Sequence, residues 1–103
     1  MELMTEEIEA AIEKRGYIPK MDDLMDAVVL VKYFEVSSNC TWLIIGGERY
    51  ADDWELYGYV DIGYGWDWGP VYLSELENFR GRLGLGVERD LDCSGKTVRQ
   101  LAG

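Results

Sequence analysis

The chain has 103 residues, 48% hydrophobic and 13% aromatic, with 20 acids against 10 bases, no histidine and a formal charge of −10. That length allows one domain, residues 1–103, around a single core, and that apolar content excludes a disordered chain. The acidic balance disfavours direct contact with nucleic acid or an anionic membrane and favours a basic protein partner.

Residues 1–15 predict an amphipathic helix. Thr5 is its N-cap, Glu6 and Glu7 sit at the positive end of the helix dipole, and Lys14 and Arg15 at the negative end. Leu3, Met4, Ile8, Ala11 and Ile12 recur on one face, with Glu6, Glu9 and Glu13 on the other. Gly16 stops the helix, and Tyr17-Ile18-Pro19-Lys20 continues as a connector because proline disfavours helix at Ile18. Asp22, Asp23 and Asp26 form an acidic link into residues 27–36, whose β-branched and aromatic run predicts the clearest strand. Ser37-Ser38-Asn39 supplies a turn, residues 41–45 the returning antiparallel strand, and Gly46-Gly47 its end. A looser acidic loop follows, with Glu48, Asp52, Asp53 and Glu55.

Residues 56–62 alternate. Leu56, Gly58, Val60 and Ile62 point toward the core, while Tyr57, Tyr59 and Asp61 lie on the second face, covered by a helix or exposed. Residues 63–70 read as a glycine-punctuated aromatic loop. In it Trp66 and Trp68 share a side if extended, and serve either as core plugs or as surface anchors. Ser74 and Glu77 have capping-box spacing at the start of a helix over 74–82. Residues 85–91 predict a last strand and 96–101 a short final helix. The triplet Glu88-Arg89-Asp90 is expected to pair across the sheet with Arg80, Arg82 or Lys32.

The stretch 50–79 stands apart. It has no lysine or arginine, it carries Asp52, Asp53, Glu55, Asp61, Asp67, Glu75 and Glu77, and it holds nine of the thirteen aromatics. Rigid aromatic bodies among carboxylates suit a recognition surface, although many of the same rings must also be core. Residues 1–79 hold 17 acids and 5 bases, and residues 80–103 hold 3 acids and 5 bases. Either the basic end pairs with the acidic body, or an acidic face stays free for a partner.

Without histidine there is no histidine-based triad, Cys–His pair or histidine metal ligand. Cys40 and Cys93 form no disulfide framework and lack the companions of a zinc site. They are expected to be two small buried thiols, reduced in a cytoplasmic protein, with a bridge between them still open. Asp22/Asp23/Asp26 and Asp52/Asp53/Glu55 lack EF-hand spacing, and solvated acidic loops explain them better than a cation site. No catalytic residue, metal or cofactor is assigned; a small metal-dependent or paired-carboxylate enzyme is the weakest reading.

Several short motifs carry a resemblance: Thr41-Trp42; Leu56-Tyr57-Gly58-Tyr59-Val60; Tyr72-Leu73-Ser74-Glu75-Leu76-Glu77; and Val87-Glu88-Arg89-Asp90-Leu91. With the Val31-Lys32-Tyr33-Phe34 run, they resemble a family of small bacterial proteins known only as a domain of unknown function, over roughly residues 17–100. The chain departs from that pattern between Gly63 and Val71, so Trp66-Asp67-Trp68 looks private to it. The resemblance implies no activity. It implies a context of plasmids, conjugative elements and prophages, where small acidic proteins often inhibit host defence by analogy with anti-restriction and anti-CRISPR proteins.

The fold expected is α+β: a small antiparallel sheet of three to four strands (27–36, 41–46, 56–62, 85–91), with an N-terminal helix and a second helix packed on it. The function expected is a non-enzymatic inhibitor, monomer or homodimer, whose acidic face engages a basic, nucleic-acid-binding surface of a defence effector. Asp52, Asp53, Glu55, Asp61 and Asp67 would supply charge, with Trp66, Trp68 and Tyr64 as aromatic anchors. The alternative is an adaptor or self-associating module that uses the aromatic loop.

Overall fold

The computed structural model describes residues 1–103. Helix α1 (Glu6–Arg15) is shorter than the expected 1–15 and begins at the expected cap: the Ile8 amide donates to the Thr5 hydroxyl at 3.2 Å. It ends at Gly16, whose φ of 89° suits glycine and whose amide donates to the Ile12 carbonyl. Such a cap is worth about 1 kcal/mol. Burying Ile8 and Ile12 contributes about 1.5–3 kcal/mol each. Docking of the apolar stripe therefore holds α1 more than its ends do.

The sheet has five antiparallel strands: β1 (Val31–Glu35), β2 (Cys40–Tyr50), β3 (Asp53–Asp61), β4 (Trp66–Tyr72) and β5 (Glu88–Arg89), in the order β4-β3-β2-β1-β5. Helices α2 (Leu73–Asn78) and α3 (Val98–Ala102) complete the fold. Strand alternation sends one set of side chains to each face. On the first face Ile8, Ile12 and Leu76 pack against Tyr33, Trp42, Ile44, Trp54 and Leu56. On the second, Leu43 and Ile45 pack against Ala27, Val29 and Val98. Helix α3 is pinned there because the Val98 amide donates to the Ala27 carbonyl and the Val29 amide to the Lys96 carbonyl.

The elements are those expected, with corrections. There are five strands, because residues 66–72, read as loop, pair with β3 over their whole length. The strand expected over 27–36 spans only 31–35, since Val28 leaves the sheet to bridge Thr97. Gly46-Gly47 do not end β2. The strand bulges between Ile44 and Gly46 and continues to Tyr50, so the acidic loop is a hairpin instead. The bulge frees the Ile45 carbonyl, which accepts from the Arg15 guanidinium at 3.0 Å. Glycine is required at position 46, where a β-carbon would collide with the Tyr17 carbonyl.

The last strand shrinks to Glu88–Arg89, and the second helix to 73–78. Its cap is not Ser74 with Glu77: Glu75 accepts from the Tyr72 amide at 2.9 Å, and Ser74 donates to Asp53 instead. Ile62 lies beyond the end of β3 and is exposed. Lys32 pairs with Asp90 at 3.6 Å, as the triplet 88–90 suggested, while Arg89 faces Tyr33 and leaves a buried Nε without a partner. Cys40 and Cys93 are both buried and free. No helix is long and apolar enough to cross a membrane.

Candidate partner-binding hairpin

The β3–β4 hairpin is closed by its own carboxylate. Asp61 accepts from the amides of Gly63 at 2.8 Å and Gly65 at 3.3 Å, and both glycines take positive φ, 108° and 98°. Tyr64 sits at the tip, 93% exposed. The turn sets a register of Tyr59 opposite Trp68 and Asp61 opposite Trp66. Tyr57, Tyr59, Trp66 and Trp68 therefore share the second face.

Their rings form a stack. Tyr59 lies 5.1 Å from Trp66 with planes 10° apart, and Tyr57 lies 6.1 Å from Trp68 at 6°. Tyr59 and Trp68 approach to 4.6 Å, and Tyr17 extends the stack at 5.5 Å from Tyr57. All five rings are half-buried. Carboxylates line this strip: Glu48 and Glu55 lie directly opposite each other, and Glu55 accepts the Tyr17 hydroxyl proton. Burial, then that bond to Glu55, pushes the Tyr17 phenol well above its ordinary pKa.

The first face of the same hairpin is different. A groove of about 620 Å³ runs between β4 and α2, walled by Trp42, Val60, Val71, Leu76 and Phe79. Trp42 and Phe79 meet edge to face at 5.3 Å. Tyr64 and the exposed carboxylates of Asp67 and Glu75 border it, and no lysine or arginine lines it.

The sequence-predicted residues do not converge on one patch. Asp52 lies exposed in the β2–β3 turn. Asp53 ties β3 to the start of α2, accepting from the Ser74 hydroxyl and from the amides of Trp54 and Ser74. The Ser74 hydroxyl, and then those amides, hold its carboxyl below the usual carboxylate range, against the opposing effect of burial. Glu55 is in the aromatic strip, Asp61 closes the opposite turn, and Asp67 projects from β4 on the first face, accepting from the Trp68 amide. The structure does bring Trp66 and Trp68 together on one side, and it leaves Tyr64 free at the tip.

Sequence reasoning missed Tyr17, Glu48 and the groove walls as site residues. The alternation of residues 56–62 had already put Tyr57 and Tyr59 on the second face, but nothing local indicated that β4 would lie beside them.

The charges also separate. None of the seven acids of residues 50–79 makes an ion pair; the pairs are Lys32–Asp90, Arg49–Glu9, Arg99–Asp23 and Arg99–Asp26. The basic end thus neutralises part of the acidic body near residues 23–26 and leaves the outer hairpin unpaired. Strand order places β4 and β5 at opposite edges.

No curated protein and no solved structure shows significant similarity to the chain. The model of a protein family described as a protein of unknown function (DUF2958) matches residues 3–100, nearly the whole fold, outer hairpin included. The chain belongs to this DUF2958 family.

Proposed function

We propose that the chain is a non-enzymatic binding protein whose outer hairpin takes a basic partner protein. In its specific form the proposal is a cytoplasmic inhibitor from a mobile element or phage, covering the nucleic-acid-binding surface of a defence effector such as a CRISPR effector or restriction enzyme. The observation that carries it is that none of the seven carboxylates of residues 50–79 makes an ion pair, while the same stretch supplies the stacked rings of the β3–β4 hairpin. A net charge of −10 competes with phosphate for the same lysines and arginines, which supports the inhibitor form. The acids are dispersed over both faces of the hairpin, the β2–β3 turn and α2, so the reading relies on summed charge plus aromatic contact more than on a row imitating a phosphate backbone.

The test is a pull-down of purified CRISPR and restriction effectors at low and high salt. The expected partner is retained at low salt, shed at high salt, and lost on reversal of Asp52, Asp53 and Asp67 to lysine. Unchanged retention by the reversed variant refutes the proposal. A second reading, an adaptor or self-associating module, is favoured by the exposed tip, where Ile62 and Tyr64 are 52% and 93% accessible. It predicts salt-resistant association that Tyr64→Ala weakens.

A further inference from the structure

We propose that the groove between β4 and α2 is the docking site for an amphipathic basic segment of the partner. One apolar side chain fills the groove, and lysines or arginines beside it reach Asp67 and Glu75. This rests on the binding-protein reading above and adds the partner's chemistry.

The groove exists because a side chain is missing from its wall. Gly69 lies on the first face of β4, opposite Gly58, between Asp67 and Val71. Its φ is outside the left-handed region, and a β-carbon added there would meet nothing within 4 Å. Neither backbone geometry nor packing therefore requires glycine at this position, unlike Gly46, where a β-carbon cannot fit. The consequence of Gly69 is an open apolar trough beside an exposed strand edge. Its volume, about 620 Å³, lies within the range of roughly 300–1,000 Å³ typical of ligand pockets.

The border chooses the occupant. Asp67 and Glu75 are both exposed, and no base lines the groove, so an acidic segment would be repelled and a neutral apolar one would gain nothing from the border. Ile62 and Tyr64 continue the apolar surface out to the hairpin tip, giving an extended segment a second contact. An aromatic or aliphatic anchor flanked by cations satisfies both parts of the site.

The experiment selects a phage-displayed library of random dodecapeptides on the intact protein. Enriched peptides are then measured by fluorescence anisotropy against the wild type, Gly69→Leu and Asp67→Lys. The leucine fills the groove from its own wall without changing charge; thermal unfolding checks that this variant folds. Should it not fold, Asp67→Lys carries the test.

We expect enriched peptides to contain Leu, Met, Phe or Trp between lysines or arginines. Binding should weaken at least tenfold in Gly69→Leu and at least threefold in Asp67→Lys, with amide shifts at Val60, Val71 and Phe79 on peptide addition. Absence of enrichment, or undiminished binding to Gly69→Leu, overturns the proposal. Purely basic peptides that are lost on reversal of Asp52, Asp53 and Asp67 overturn the groove and leave the binding-protein reading standing. Sedimentation showing self-association that Gly69→Leu abolishes would assign the groove to a second copy and also overturn it.

Discussion

The buried carboxylate of Glu35 occupies the space where a side chain at Gly81 would stand. Glu35 ends β1 at 1% exposure and accepts from the Ser37 and Ser38 amides at 3.0 and 2.8 Å, and from the Ser37 hydroxyl. The two serine hydroxyls in turn accept from the amides of Leu83 and Arg82. One carboxylate thus holds the β1–β2 turn against the loop after α2. We expect Gly81→Ala to destabilise the protein by about 1–3 kcal/mol through overpacking. Urea denaturation measures this, and a midpoint equal to the wild type's would show that the carboxylate can move aside freely.

Acid should loosen the same clamp. Glu35, Asp53 and Asp23 all have carboxyls held below the ordinary range, Glu35 first by the Ser37 hydroxyl, Asp53 by the Ser74 hydroxyl, and Asp23 by the Met25 amide. A depressed folded-state pKa gives stability that is full above the unfolded value, near 4 for these carboxyls, and is lost as pH falls through the folded value. Stability attributable to these groups should be constant from neutral pH to about 5 and decline below about 4. Glu35→Gln should lower the urea midpoint at pH 7 and make the acid decline shallower. An acid limb identical in slope would remove Glu35 from the explanation.

At the alkaline end the sign reverses. The phenols of Tyr17 and Tyr33 are both raised, chiefly by burial, and Tyr33 donates to the Leu3 carbonyl at 2.7 Å. A raised folded-state pKa gives stability that is full below the unfolded value, about 10, and is lost as pH climbs toward the folded value. We expect ultraviolet titration to show Tyr17 and Tyr33 ionising above the ordinary phenol range, with stability falling above about pH 10. Tyr17→Phe should remove one late phenol. A single titration of all seven tyrosines near pH 10 would contradict both environments.

The aromatic stack separates structural from binding roles. Trp68 touches both Tyr57 and Tyr59, whereas Trp66 touches Tyr59 alone. Full truncation of a core tryptophan costs about 3–5 kcal/mol. Half-buried Trp68→Ala is therefore expected to lose about 2–3 kcal/mol, and Trp66→Ala less. Denaturation of each variant in the absence of a partner provides the check; equal losses would show that the stack does not discriminate between the two rings.

Much of the fold was legible where one local signal was strong. Thr5, Gly16 and the Ile8–Ile12 stripe gave α1, and the apolar runs at 27–36 and 41–45 gave a hairpin, the first of them longer than the strand it contains. The outer hairpin was not legible, because two signals competed at 63–70. Gly65, Gly69 and Pro70 are turn residues, while Trp66-Asp67-Trp68 alternates as a strand does. The strand wins because β4 is at an edge: its outer side has no strand partner, so a proline can be accommodated. Gly46-Gly47 misled similarly: the smallness of Gly46 answers the approach of Tyr17 from the α1 connector, and that of Gly47 the neighbouring Glu55 carbonyl, contacts invisible in local sequence. Of the candidate residues, Trp66 and Trp68 share one face, whereas the acids are dispersed. Hydrogen bonds from Gly63, Gly65 and Ser74 employ Asp61 and Asp53 in closing loops before any partner arrives.

The strand order has a consequence for the molecule at a distance. The base-free stretch contains one edge strand and the cation-rich chain end contains the other, so these two segments spread their charge unequally across the width of the sheet. Near a cationic surface that inequality adds a torque to the attraction, favouring approach by the hairpin edge. A protein of the same net charge, evenly spread, would arrive in every orientation and spend most collisions unproductively.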